Sequence, residues 1–256
     1  MNVRTVYELI NTVAPFDTQQ EFDNSGLLVG YPAQEVSAIL FALDVTQPVI
    51  DEAVALGAEL IVTHHPLMFS AIHSLTDETY EGRLICRLVR EGISLISAHT
   101  NLDQAAGGIN DTLAALSGLV EVTGDGFFRS GFLPAPMTVR DFADLLEENL
   151  ETTVRIMAPD DRIIRRVGLC SGSGGDEWIK AAETGCDAFV SGEIKHHLAL
   201  AMADAGIAAL ECGHFATEEP GLAALAEALQ NSLNHVECNV RVFISAVSAY
   251  SFPQQS

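Results

Sequence analysis

Apolar runs of strand length alternate along this chain with amphipathic stretches of helix length. Thr5 to Val13 has the spacing of a short helix that stops near Ala14-Pro15, and Phe22 to Gly30 reads as a turn-rich segment running into a short strand. Ser37 to Leu43 is a strand without polar interruption, closed by Asp44-Val45-Thr46. Thr46 is placed to cap a helix from Pro48 to Leu56, which Gly57 ends. The apolar run Glu59 to Val62 follows and terminates in Thr63-His64-His65-Pro66; a helix over 77–91 and a strand from Ile93 to Ser97 come next. A further helix is expected from Asn110 to Gly118. Strands alternating with helices of this length imply βαβ units and a largely parallel sheet.

The pattern restarts after Gly124-Asp125-Gly126. Phe127 to Leu133 reads as a strand, and Thr138 as the cap of a helix reaching Asn149. Thr153 to Met157 and Ile163 to Leu169 read as strands on either side of a hairpin-type turn, Pro159-Asp160-Asp161. Ser171-Gly172-Ser173-Gly174-Gly175, a helix to Thr184 and a strand Ala188 to Val190 lead to Ser191-Gly192-Glu193-Ile194-Lys195-His196-His197. After another helix come Ile207 to Cys212, then Gly213-His214, a helix over 218–231 and a last strand, Val240 to Val247. Both halves run strand, turn, helix, glycine, strand, polar cluster, helix, glycine, strand, histidine. The expected fold is α/β, an internal duplication giving two similar lobes, each a mixed sheet flanked by helices, facing each other across a metal cleft. The first lobe is placed at 1–125, joined by C-terminal 219–252, and the second at 126–218.

The polar clusters all fall at the carboxyl ends of expected strands, where ligands gather in parallel α/β sheets. Neighbouring residues on a strand point to opposite faces, so His64 and His65 can serve one centre only where the backbone is turning, as Pro66 dictates. The candidate metal ligands are His64, His65, Asp103, His214 and Glu218. Their mixed nitrogen and oxygen donors suit Zn, Mn or Fe better than Mg or Ca. Five ligands exceed the needs of one catalytic zinc with an open position and suit two divalent ions. Taken singly, each has a plainer reading as a loop acid, a helix-terminal charge or a strand cap; the common placement at strand ends argues for a site. His214 is expected to precede its helix, so the loop must join it to Glu218. His99 is read as orienting a ligand, Glu193 as a proton carrier or substrate contact, and His196 and His197 as orienting or substrate-facing residues, or as helix surface. Ser171 to Gly175 could cradle a phosphate or simply turn the chain.

Charge narrows the partners. The chain of 256 residues carries a net charge of −22. Lys180 and Lys195 are its only lysines, and no basic stripe appears, which argues against nucleic acid and anionic membrane. No apolar run approaches the roughly 18 residues of a membrane span. Five widely spaced cysteines without a CxxC pair read as reduced, mostly buried thiols in a cytoplasmic protein.

Asp23-Asn24-Ser25-Gly26-Leu27, Thr63-His64-His65-Pro66, His99-Thr100-Asn101-Leu102-Asp103, Ser191-Gly192-Glu193-Ile194 and Gly213-His214 with Glu218 resemble, in order, the motifs of the GTP cyclohydrolase I type 2 homolog family, also called Ngg-interacting-factor-three-like. The chain resembles the short form without the mid-chain insert. Where that family more often has a serine before the glutamate, Thr217 keeps the hydroxyl. The resemblance implies a two-lobed protomer, a di-metal site held by His64, His65, Asp103, His214 and Glu218, and a homohexameric toroid. It also implies a hydrolase that opens the imidazole ring of GTP, or acts on a related nucleotide or pterin-like small molecule, with loss of formate. A non-catalytic metal-binding scaffold working through protein partners, and a di-metal phosphoesterase, are the alternative readings.

Overall fold

The computed structural model of the protein describes residues 1–235 and 239–247. The chain forms two compact units, Met1–Ala105 with Leu222–Ser256, and Ala106–Gly221. Cys238 and the 248–252 end of the expected first lobe lie outside the described residues.

The first unit opens with α1 (Val3–Val13), which Asn2 caps by accepting from the Thr5 amide, and β1 (Gly26–Val29). It continues through β2 (Ala38–Ala42), α2 (Gln47–Leu56), β3 (Leu60–Thr63), α3 (Tyr80–Glu91), β4 (Ser94–Ser97) and α4 (Thr100–Gln104). Thr46 accepts from the Val49 amide and Gly57 closes α2 in the left-handed region, as the sequence pattern predicts. Helix α3 begins after Thr79, whose hydroxyl accepts from the Gly82 amide, rather than after Thr76. Helix α4 is a single turn that the pattern does not predict. The sheet order is β1-β4-β3-β2-β11, where β11 (Arg241–Ile244) is the returning C-terminal strand. β4, β3, β2 and β11 are parallel, and β1 is antiparallel to β4. Every residue of β2, β3 and β4 is buried, as central parallel strands covered on both faces require. Leu40, Ile50, Ile61, Leu84, Leu88 and Leu95 form the heart of one core cluster.

The second unit begins with α5 (Ile109–Leu116), β5 (Val120–Asp125), β6 (Phe128–Thr138), α6 (Val139–Leu150), β7 (Arg155–Met157) and β8 (Ile163–Cys170). It continues with α7 (Trp178–Glu183), β9 (Ala188–Ser191), α8 (His196–Asp204) and β10 (Ala208–Glu211). Helix α9 (His214–His235) begins there, and the boundary between the units falls within it. The sheet order is β5-β6-β8-β9-β10-β7.

Two expectations change here. Gly124-Asp125-Gly126 is the end of β5 running into the two-residue hairpin turn Gly126-Phe127 and not a lobe boundary, so the segment from 106 to 125, grouped by pattern with the first lobe, belongs to the second unit. β7 and β8 flank their turn but do not pair. β8 lies between β6 and β9, and β7 closes the sheet antiparallel to β10. The turn instead ties to α6, since the Val139 amide donates to the Arg162 carbonyl. β6 is longer than predicted, and its register with β8 shifts between Phe132 and Met137, where Pro134 and Pro136 cannot contribute ladder donors.

The units share a succession of elements. β1-β2-α2-β3-α3-β4 in one and β7-β8-α7-β9-α8-β10 in the other each make three parallel strands with an antiparallel strand beside the third. Among the described residues, no helix is long and apolar enough to cross a membrane.

Candidate metal-binding clusters

In the first unit the carboxyl ends of three parallel strands deliver Asp44 (after β2), His64 and His65 (after β3) and His99 (after β4). The bend after β3 is pinned. The Thr63 hydroxyl donates to the His65 carbonyl at 2.9 Å, and the His65 amide donates to the Leu43 carbonyl at 3.0 Å. This bend puts adjacent histidines into one cluster, with ring centroids 5.0 Å apart. His99 is also 5.0 Å from His64 between centroids. One donor atom from each of His64, His65 and His99 lies within 4.8 Å of the others. Asp103, on α4, brings a carboxylate oxygen to 3.5 Å from His64 Nε2.

Each imidazole is held from behind. His64 Nδ1 lies 2.9 Å from the Ala98 carbonyl oxygen, His65 Nδ1 2.8 Å from Asp44, and His99 Nδ1 2.8 Å from Asp23. An oxygen acceptor at Nδ1 makes that nitrogen the donor, which leaves the Nε2 lone pair of a neutral ring for a metal. Asp23 reaches His99 because β1 starts beside the end of β4, with Gly26 opposite Ser97. Its side chain is fully buried, and it accepts from His99 Nδ1, the Asn24 amide, the Ser25 hydroxyl, and the amide and hydroxyl of Thr100. Burial raises its pKa, but the donations from His99 and Thr100 outweigh that and hold the carboxyl well below the usual range.

In the second unit, β8, β9 and β10 end at Ser171-Gly172, Gly192-Glu193 and Gly213-His214. His214 is the first residue of α9, contrary to the expectation that it precedes the helix. Its Nε2 lies 3.1 Å from Glu218 Oε2, one helical turn on. Glu193 takes the place behind it, with Oε1 2.9 Å from His214 Nδ1. Glu218 is buried and lies over Gly172, where a Cβ would fall 2.0 Å from Oε1; Gly172 is left-handed, at φ +53°. Thr217 closes the arrangement by accepting from the Gly172 amide at 3.0 Å. The loop from Ser171 thus receives a carboxylate from its own unit. His196 and His197 stand exposed on the first turn of α8, and among the described residues neither joins a cluster with metal-holding spacing.

Asp44 had no functional role in the sequence pattern, Asp23 and Thr217 entered only as parts of motifs, and Gly172 only within a possible phosphate cradle. The available signal was positional: an acid or a glycine directly after a strand whose neighbour ends in histidine.

The family model for Duf34/NIF3 (NGG1p interacting factor 3) matches residues 1–250. The chain belongs to this family. A Clostridium perfringens relative, named GTP cyclohydrolase 1 type 2 homolog, is 34% identical over 91% of this chain and 93% of its own length. One of the same name from Clostridium acetobutylicum is 30% identical over 98% of this chain and 99% of its own. Among solved structures, Staphylococcus aureus protein SA1388 superposes with a TM-score of 0.92 at 28% identity, covering 100% of this chain and 99% of that one.

Proposed function

We propose that the protein is a di-metal-dependent hydrolase acting on a nucleotide or pterin-like substrate, with a GTP-cyclohydrolase-type ring opening as the candidate activity. The substrate class comes from the relatives' name, GTP cyclohydrolase 1 type 2 homolog. The observation that carries the metal reading is the set of imidazoles: at His64, His65, His99 and His214 alike, Nδ1 faces an oxygen acceptor, as in metal-ligating histidines, and one donor atom from each of His64, His65 and His99 lies within 4.8 Å of the others. Nitrogen and carboxylate donors of this kind fit Zn, Mn or Fe.

In this proposal His64, His65, Asp103, His214 and Glu218 hold two divalent ions. Ions so held would supply Lewis acidity and an acidified water. Asp44 and Glu193 keep His65 and His214 in the binding tautomer. Glu193 is 59% exposed and its second oxygen reaches the Ser173 hydroxyl at 3.3 Å, so it can exchange a proton with solvent. His99 stands beside the ligands as an orienting or substrate-facing group. The homohexameric toroid belongs to the same proposal, and light scattering should return six times the 27.4 kDa chain mass.

The test is elemental analysis of the purified full chain together with GTP turnover, with His65→Ala as the control. The expected result is bound divalent metal and metal-dependent formate release, both lost in the variant. Phosphate release without formate would replace this reading with a phosphoesterase. Metal binding without turnover of any nucleotide or pterin would leave a metal-binding scaffold.

A further inference from the structure

One neighbour of the first unit's histidine cluster has no part in holding a ligand. Phe69, in the loop between β3 and α3, is 56% exposed. Its ring centroid lies 5.5 Å from that of His99, with the planes at 81°. The backbone leading to it is anchored. Pro66 is buried, Leu67 and Met68 pack against the core, and Asn24 Nδ2 donates to the Met68 carbonyl at 2.7 Å. His99 is itself fixed through Asp23. A perpendicular contact occupies at most one face of the Phe69 ring, and the exposure of the side chain leaves the other to solvent. A large aromatic side chain is thus held at a defined place beside three imidazoles, with a π-face open.

We propose that Phe69 is a specificity-determining platform on which a planar heterocyclic ring of the substrate, purine or pterin, stacks beside the histidine cluster. This rests on the hydrolase reading and deepens it. Stacking accepts any flat heterocycle, so Phe69 selects the class of substrate, while hydrogen bonding elsewhere must select its identity. Ile72 and Leu75 in the same loop are also exposed, at 39% and 52%. A protein partner covering the whole loop is therefore the competing outcome.

The experiment uses the metal-loaded full chain as wild type, Phe69→Ala and Phe69→Trp. Metal content is measured for each, and GTP and inorganic triphosphate are titrated calorimetrically. Phe69→Ala should keep its metal, bind GTP roughly 10-fold or more weakly, and bind inorganic triphosphate as wild type does. Phe69→Trp should restore GTP affinity. In a Trp178→Phe background, which removes the only natural tryptophan, its emission should be quenched by GTP but not by triphosphate. Unchanged GTP affinity in Phe69→Ala, or equal loss of both ligands, overturns the platform while wild-type turnover leaves the hydrolase reading standing. Loss of metal in Phe69→Ala would make the residue a support for His99 and also overturn it. If the metal-loaded wild type binds no nucleoside or pterin at all, both readings fall.

Discussion

Asp23→Asn isolates the group behind His99. The carboxylate is buried and accepts five donations, from His99 Nδ1, the Asn24 amide, the Ser25 hydroxyl, and the Thr100 amide and hydroxyl. Asparagine has nearly the same shape but turns one acceptor into a donor. If its amide faces Thr100, the two hydroxyls can rotate to accept, but the Thr100 backbone N–H cannot and is left unpaired at the start of α4. If it faces His99, the imidazole must switch tautomer and protonate Nε2. Leaving a buried donor unsatisfied costs about 1–3 kcal/mol, and losing charge-assisted bonds adds to it, so the first unit should lose roughly 2–4 kcal/mol.

Urea unfolding followed by circular dichroism reads this directly. The folded-state pKa of Asp23 is depressed, so its contribution is complete above the unfolded value near 4 and disappears as pH falls through the folded value. The stability gap between wild type and Asp23→Asn should therefore be widest at neutral pH and narrow in acid. A variant within about 0.5 kcal/mol of wild type at pH 7, or a gap that widens on acidification, would refute the reasoning.

Three further outcomes follow from the same geometry. Asp44→Ala and Glu193→Ala should each weaken metal affinity roughly 10- to 100-fold with little change in melting temperature, because both carboxylates are substantially exposed; metal titration and calorimetry separate the two effects. Gly172→Ala should cost about 1–2 kcal/mol from its left-handed backbone and displace Glu218, so elemental analysis should show lowered metal occupancy even where the variant folds. Burial pushes the Cys212 thiol up to about 12, so at pH 8 it should resist iodoacetamide until the protein is unfolded, as peptide mass spectrometry can show.

The strand–helix alternation was legible because local signals agreed with the fold. Thr46, Gly57 and Thr138 cap or end helices as their chemistry dictates, and the apolar runs at β2, β3 and β9 are strands buried on both faces. The placement of His64, His65, Asp103, His214 and Glu218 after strands was also legible, since each follows a strand or lies near the start of a helix beyond one. Tertiary structure decided the remainder. Whether β7 pairs with β8 or β10 depends on which edge is left when β6 and β9 have taken both sides of β8, and no local pattern encodes that. Gly124-Asp125-Gly126, which leads into the hairpin turn at Gly126-Phe127, looked like a boundary because a turn and a linker share the same residues. Asp44 behind His65, Asp23 behind His99 and the Glu218 carboxylate over Gly172 depend on strand order and on side chains meeting across loops far apart in sequence. The donor types are a property of the sequence; the tautomers that would make them ligands are set by the fold.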